Sequence, residues 1–131
     1  MIKRIEFPKI LDPRGNLTFL QHSQQIPFDI KRVFWTYDVP GGEQRGGHAY
    51  KEQEEVIIAL SGSFDVVITQ LDGSEQRFQL NRSYYGLYIP PLTWRHMENF
   101  STNALSLHLS SRTFSETDYV RDFMDFKANA L

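Results

Sequence analysis

Gly42-Glu-Gln-Arg45-Gly-Gly-His48-Ala-Tyr50-Lys51-Glu-Gln-Glu54-Glu55-Val-Ile-Ile-Ala-Leu60-Ser-Gly62 is the stretch from which the fold can be read. Residues 56–60 form a short apolar run closed by Ser61-Gly62. That pair is a tight-turn signal, because glycine takes the positive φ such turns need. His48 and Tyr50 stand two residues apart, so on a strand they point to the same side. Gly46 and Gly47 lack a Cβ and let a neighbouring group approach the backbone closely. The stretch therefore predicts a strand at 56–60 with a hairpin after it, and a His/Tyr pair that shares one side if its own segment is extended.

The same pattern continues in both directions. Short apolar runs recur roughly every ten residues with turn residues between them. Strands are predicted at 17–21, 30–37, 56–60, 64–69, 76–80, 86–89 and 104–109, with a second hairpin at Asp72-Gly73. Phe64-Asp-Val-Val-Ile-Thr69 and Leu105-Ser-Leu-His108-Leu-Ser110 partly alternate polar with apolar residues, which suits a sheet with two unlike faces. Pro90-Pro91 belongs at a strand end, since proline cannot donate to a ladder. The tail differs. Tyr119, Val120, Phe123, Met124 and Lys127 form a stripe at helical spacing. Ser115 with Asp118 resembles a capping box ahead of it. The expected architecture is all-β, a barrel or sandwich with one short C-terminal helix.

Length and composition set bounds. A chain of 131 residues is most simply one domain, 1–131, and is long enough to bury a single core. A net charge of −2 offers no basic field for nucleic acid or an anionic membrane. There is no cysteine, so disulfides and thiolate sites are excluded, and a reducing cytoplasm is expected. Met1-Ile-Lys-Arg-Ile-Glu-Phe-Pro8 lacks the apolar core of a signal peptide. No apolar run approaches the ~20 residues of a membrane span.

The opening stretch is similar to the first cupin motif, G-x5-H-x-H-x3,4-E-x6-G, at every position but one. Tyr50 stands in place of the second histidine. Further segments carry a narrower resemblance: Asp12-Pro-Arg14-Gly15, Ile26-Pro-Phe-Asp-Ile-Lys-Arg32, Arg45-Gly-Gly-His48-Ala-Tyr50-Lys51, Gly86-Leu-Tyr88, Pro91-Leu-Thr-Trp94 and Glu116-Thr-Asp-Tyr119. Together, over about Phe7 to Lys127, they resemble the WxcM-like nucleotide-sugar 3,4-ketoisomerases, which act on dTDP-4-keto-6-deoxyglucose. The resemblance implies a cupin jelly-roll β-barrel, a homodimer, no required metal or other cofactor, and a site inside the barrel. It also implies a product feeding an aminotransferase, on the way to a deoxyaminosugar of a surface glycan such as O-antigen or of a secondary metabolite.

The implied reaction moves a ketone from C4 to C3 of the hexose. A base removes the C3 proton, which the C4 carbonyl acidifies; an enediolate forms; a proton returns at C4. Histidine suits this transfer, with an unperturbed pKa of ~6.5. Donors must also hold the developing oxyanion. His48 is the expected base. Tyr50, where the family places its second histidine, is the expected donor or shuttle; its pKa of ~10 makes it a poorer base.

The substrate's diphosphate needs cations, and arginine binds it in bidentate fashion. Arg14, in the turn that resembles a substrate-facing loop, Arg32, Arg45 and Lys51 are the candidates. Arg32 lies between apolar Ile30 and Phe34 on its own face, where it needs a partner. The family places Arg95 in the site. Among Phe34, Trp35, Tyr37, Tyr88 and Trp94, which are candidates to line a barrel, Phe34 and Tyr88 are assigned to the ligand by resemblance. A metal-binding alternative would use His48, Glu54 or Glu55, and His96, with Tyr50 as a fourth group, a donor set that suits Fe(II). His96 also reads as a rim residue. An epimerase-like cupin and a non-catalytic sugar-nucleotide module are the remaining alternatives.

Overall fold

Alternation of inward and outward side chains sorts the strands into two facing sheets. The computed structural model describes residues 1–21 and 24–130. Leu131, the last residue of the expected domain, lies outside them. The strands are β1 (Lys3–Glu6), β2 (Lys9–Ile10), β3 (Leu17–Thr18), β4 (Arg32–Thr36), β5 (Arg45–Tyr50), β6 (Glu55–Ser61), β7 (Phe64–Thr69), β8 (Glu75–Leu80), β9 (Tyr85–Ile89), β10 (Trp94–Glu98), β11 (Leu105–Ser110) and β12 (Tyr119–Val120). A 3₁₀ turn, Glu116–Asp118, precedes β12, and helix α1 spans Phe123–Ala130. One five-stranded sheet has the order β1-β9-β6-β11-β4 and the other β12-β5-β10-β7-β8; β2 and β3 form a small ribbon. Every pairing is antiparallel.

Three apolar layers hold this arrangement. The inner layer packs Ile57 and Ala59 of β6, Phe64, Val66 and Ile68 of β7, and Leu87 and Ile89 of β9 between the sheets. An outer layer sets Val56, Ile58 and Leu109 against Phe7, Ile26 and Phe28 of the N-terminal segment. A third sets Ala49 and Val120 against Phe126 of α1, with Trp94 and Phe123 beside them. Both sheets are thus covered on their outer faces as well. Gly86 on β9 fits this packing: a Cβ there would meet Val56 Cγ1 at 2.7 Å and Ile57 O at 3.1 Å.

Both expected hairpins are present, with Gly62 at φ 65° and Gly73 at φ 88°. β9 ends at Ile89, immediately before Pro90-Pro91. The expected strand at 17–21 shortens to β3 and that at 30–37 to β4. β1, β5 and β10, Lys-Arg-Ile-Glu, Arg-Gly-Gly-His-Ala-Tyr and Trp-Arg-His-Met-Glu, escaped the apolar-run criterion because they hold few consecutive apolar residues.

The tail needs a larger correction. The helix does not run from a Ser115 cap through Tyr119 and Val120. The Ser115 hydroxyl pairs with Thr117 Oγ1 at 2.9 Å and makes no cap bond. Tyr119 and Val120 are extended and pair with Tyr50 and Ala49. Asp122 caps the real helix, accepting from the Met124 N–H at 2.7 Å. Starting a helix fixes several residues for one hydrogen bond, and at Tyr119 and Val120 a waiting strand edge supplies a better-compensated alternative.

Candidate active site

A cavity of about 230 Å³ opens between the sheets, lined by Phe34, Thr36, Arg45, Gly46, His48, Tyr50, Glu55, Ile57, Arg95, Met97, His108, Tyr119 and Arg121. A β-bulge brings two of these to one side. Arg95 of β10 pairs with His48, but Met97 pairs with Arg45, so three steps along β5 match two along β10. Gly46, with φ 76°, takes up the extra residue. A bulge re-aims the side chains around it. In a regular strand Arg45 and His48 would face opposite ways; here both line the cavity.

His48 stands at the middle of this wall, among aromatic rings. Its ring meets Tyr50 edge-on at 4.7 Å and lies 5.2 Å from the Tyr119 ring. Its Nε2 is buried with no hydrogen-bond partner among the described residues. Burial, with Arg95 adding to it, lowers its pKa to about 3. The ring is therefore neutral at pH 7 and can accept a proton. Tyr50 is shifted the other way: burial, the charge of Glu55 and its bond to Tyr119 raise its pKa well above the usual phenol value. Its hydroxyl keeps its proton and donates to Tyr119 Oη at 3.3 Å. The pair thus holds an acceptor and a donor side by side.

Behind them lies a buried charge network. Arg95 Nη1 donates to Glu55 Oε1 at 2.9 Å. Glu55 Oε2 lies 3.2 Å from His108 Nδ1, and His108 Nε2 lies 2.9 Å from Ser106 Oγ. Burial alone would push the Glu55 carboxyl up, but Arg95 and His108 outweigh it and hold it at about 2. The Arg95 guanidinium also packs 4.9 Å from the Tyr50 ring centroid.

These shifts predict acid lability. In the unfolded chain His48 takes a proton near pH 6.5; in the fold it resists until about pH 3. The unfolded state therefore binds more protons across that window, and stability falls as pH drops through it, by on the order of 5 kcal/mol for His48. Glu55 adds a loss of the same sign from about pH 4.5 to 2. Urea titrations at stepped pH should show the wild type losing stability between pH 6.5 and 4.5 faster than His48→Asn. Parallel curves for the two proteins would contradict this.

Of the residues expected from sequence, His48, Tyr50, Phe34, Arg45 and Arg95 line the cavity. Arg32 stands behind the wall: its guanidinium stacks 4.7 Å from Phe34 and its Nη2 reaches Gln53 Oε1 and Tyr119 Oη, each at 3.5 Å. Three expected contacts need correction. Arg14 is 90% exposed in its side chain and is held in its own turn by Asp12, so it does not reach this chain's cavity. Lys51 follows the last inward residue of β5 and lines a shallow outer groove with Asp125 and Asn129. Tyr88 points to the outer face, because its neighbours Leu87 and Ile89 take the inward positions; it donates to Glu54 Oε1 at 2.6 Å and packs by Phe28. Trp35 and Tyr37 face outward, 57% and 62% exposed, and Trp94 lies under α1.

The metal-binding alternative loses its geometry. His96 alternates with Arg95 and turns outward to Glu98, and Glu54 serves Tyr88, so the proposed ligands do not converge. Among the described residues no group of three or more His, Asp or Glu gathers for a metal.

His108, Tyr119 and Arg121 are cavity residues that the sequence reading missed, and Glu55 entered it only as a metal ligand. The signal for His108 was present as Ser106-Leu-His108-Leu-Ser110. Its polar side faces inward and its leucines face outward, under the N-terminal segment.

Two antiparallel sheets closed around a polar cavity, with a histidine on β5 and its base side free, define a cupin jelly-roll of the sugar-modifying kind. The chain belongs to the family described as FdtA: WxcM-like, C-terminal, whose model matches residues 1–130. It is 40% identical over 126 residues to TDP-4-oxo-6-deoxy-alpha-D-glucose-3,4-oxoisomerase of Aneurinibacillus thermoaerophilus, covering 95% of this chain and 89% of that protein. Among solved structures it resembles the sugar 3,4-ketoisomerase QdtA of Thermoanaerobacterium thermosaccharolyticum in complex with TDP. There the identity is 36%, coverage is 98% of this chain and 93% of that one, and the TM-score is 0.94. A mutant of QdtA in complex with TDP-4-keto-6-deoxyglucose matches with the same identity, coverage and TM-score.

Proposed function

We propose that this protein is a sugar-nucleotide 3,4-ketoisomerase that converts dTDP-4-keto-6-deoxyglucose to its 3-keto isomer. The observation that carries the reading is His48: a buried, neutral histidine with a free Nε2, beside a protonated Tyr50, on the wall of a cavity in this family's fold. His48 removes the C3 proton. The Tyr50 hydroxyl turns from Tyr119 to donate to the oxyanion of the enediolate, and His48 returns the proton at C4. A base with so low a pKa is weak in the empty site. The diphosphate of the substrate brings negative charge that opposes the nearby arginines and raises the basicity of His48. Arg45, exposed on the cavity wall, binds that diphosphate.

The chain works as a homodimer in this reading. Support comes from β4, an edge strand that exposes Val33 and Trp35, with Tyr37 just beyond it; apolar side chains clustered on a surface mark interaction sites. Nucleotide-linked substrates place the enzyme in the cytoplasm, and the 3-keto product is suited to an aminotransferase.

Proton NMR of the purified protein with dTDP-4-keto-6-deoxyglucose in D2O tests the reading. A 3-keto sugar with deuterium at C4 is the expected result. An unchanged skeleton with exchange at C5 would instead identify epimerase chemistry. Binding without exchange would leave a sugar-nucleotide module.

A further inference from the structure

We propose that His108 is a positioning residue: through Glu55 it fixes Arg95 so that the free guanidinium nitrogens serve as oxyanion donors in the reaction. The inference rests on the isomerase reading. Arg95 is 2% exposed, and only its Nη1 is engaged, by Glu55. Its Nε and Nη2 are buried, have no hydrogen-bond partner among the described residues, and belong to a residue on the cavity wall. Buried donors left unpaired are costly, and they are what an enediolate oxygen requires.

The aim of these donors depends on Glu55, since a carboxylate held at one oxygen can swing about it. Here both oxygens are held. Oε1 takes Arg95 Nη1, and Oε2 takes His108 Nδ1. Because Glu55 stays ionised it can only accept, so His108 donates to it from Nδ1, and His108 Nε2 lies 2.9 Å from the Ser106 hydroxyl, which holds the far side of the ring. The imidazole is also fixed from its face. It stacks on Phe34 at 4.4 Å with an interplanar angle of 7°, and Arg32 stacks on Phe34 in turn. Both ring nitrogens are occupied, so His108 acts on the substrate only through Glu55 and Arg95.

The test uses the full chain with His108→Phe, which keeps the stack and removes the donor, and His108→Asn, whose amide can restore the bond to Glu55. His108→Phe is expected to lower kcat by about 10²-fold, the scale of a misplaced catalytic group, with dTDP affinity unchanged. His108→Asn should recover most of the loss. In an Arg95→Lys background His108→Phe should add little, because its route is already cut. An activity-free readout follows the Arg95 Nε–H signal in ¹⁵N-arginine-labelled protein, assigned by its absence in Arg95→Lys. It should be sharp in the wild type, broadened in His108→Phe and restored in His108→Asn. An unchanged signal in His108→Phe, or a kinetic loss that multiplies in full with that of Arg95→Lys, overturns the proposal. If the wild type fails to turn over the sugar, the isomerase reading falls and the Arg95 signal alone decides the positioning. If His108→Phe does not fold, Ser106→Ala, which removes the support at Nε2, is read by the same two measures.

Discussion

His48→Asn is expected to lose about 10²–10⁴-fold in kcat while binding dTDP as the wild type does. The range is that of removing a positioned general base. Binding should survive because His48 Nε2 has no partner among the described residues to orphan and the ring is already uncharged. Loss in kcat without loss in dTDP affinity is the signature of a group used in the transition state rather than in ground-state binding. The change also removes an acid-labile group, so the inactive variant should hold its stability better below pH 6.5. NMR turnover and calorimetric dTDP titration measure both halves. A variant that keeps turnover within tenfold would move the base elsewhere, and Tyr50 would be the first residue to examine.

Arg95→Met should be the most destabilising single change in the site. It removes the main counter-charge of a fully buried carboxylate, which on general grounds costs about 3–5 kcal/mol. Among the described residues His108 would remain as the side-chain partner of Glu55. The double variant Arg95→Met with Glu55→Gln should recover a large part of the loss, since removing both members of a buried pair is far milder than removing one. Urea unfolding of the single and double variants is the measurement. A single variant within about 1 kcal/mol of wild type would mean that water or a rearranged neighbour neutralises Glu55.

The cupin-like spacing of Gly42 to Gly62 was enough to place His48 and Tyr50, and with them the barrel. Both glycine hairpins and the stop at Pro90-Pro91 were equally legible, because turn chemistry is local. Periodicity says which residues share a face but not which face is inside. β11 was read as having two unlike faces; its Ser106 and His108 side proved to be the interior because the cavity is polar and the N-terminal segment covers the leucines. Tyr88 was misplaced for the same reason, with Leu87 and Ile89 taking the inward positions. Tyr119 carried a helical pattern that the edge of β5 overrode. Arg14 and Lys51 have the right charge for a diphosphate, but nothing in their local sequence says how far from the cavity their loops end.

The bulge at Gly46 makes β5 a ruler. Arg45 and His48 line one cavity from points three residues apart, a span of roughly 8–10 Å along a strand. A ligand can touch both only if its anionic group and its reacting carbon are separated to match. A free ketohexose would reach His48 without engaging Arg45, and dTDP alone would do the reverse. In the proposed reaction the strand would therefore discriminate by molecular length before any single hydroxyl is recognised, with one glycine setting the graduation.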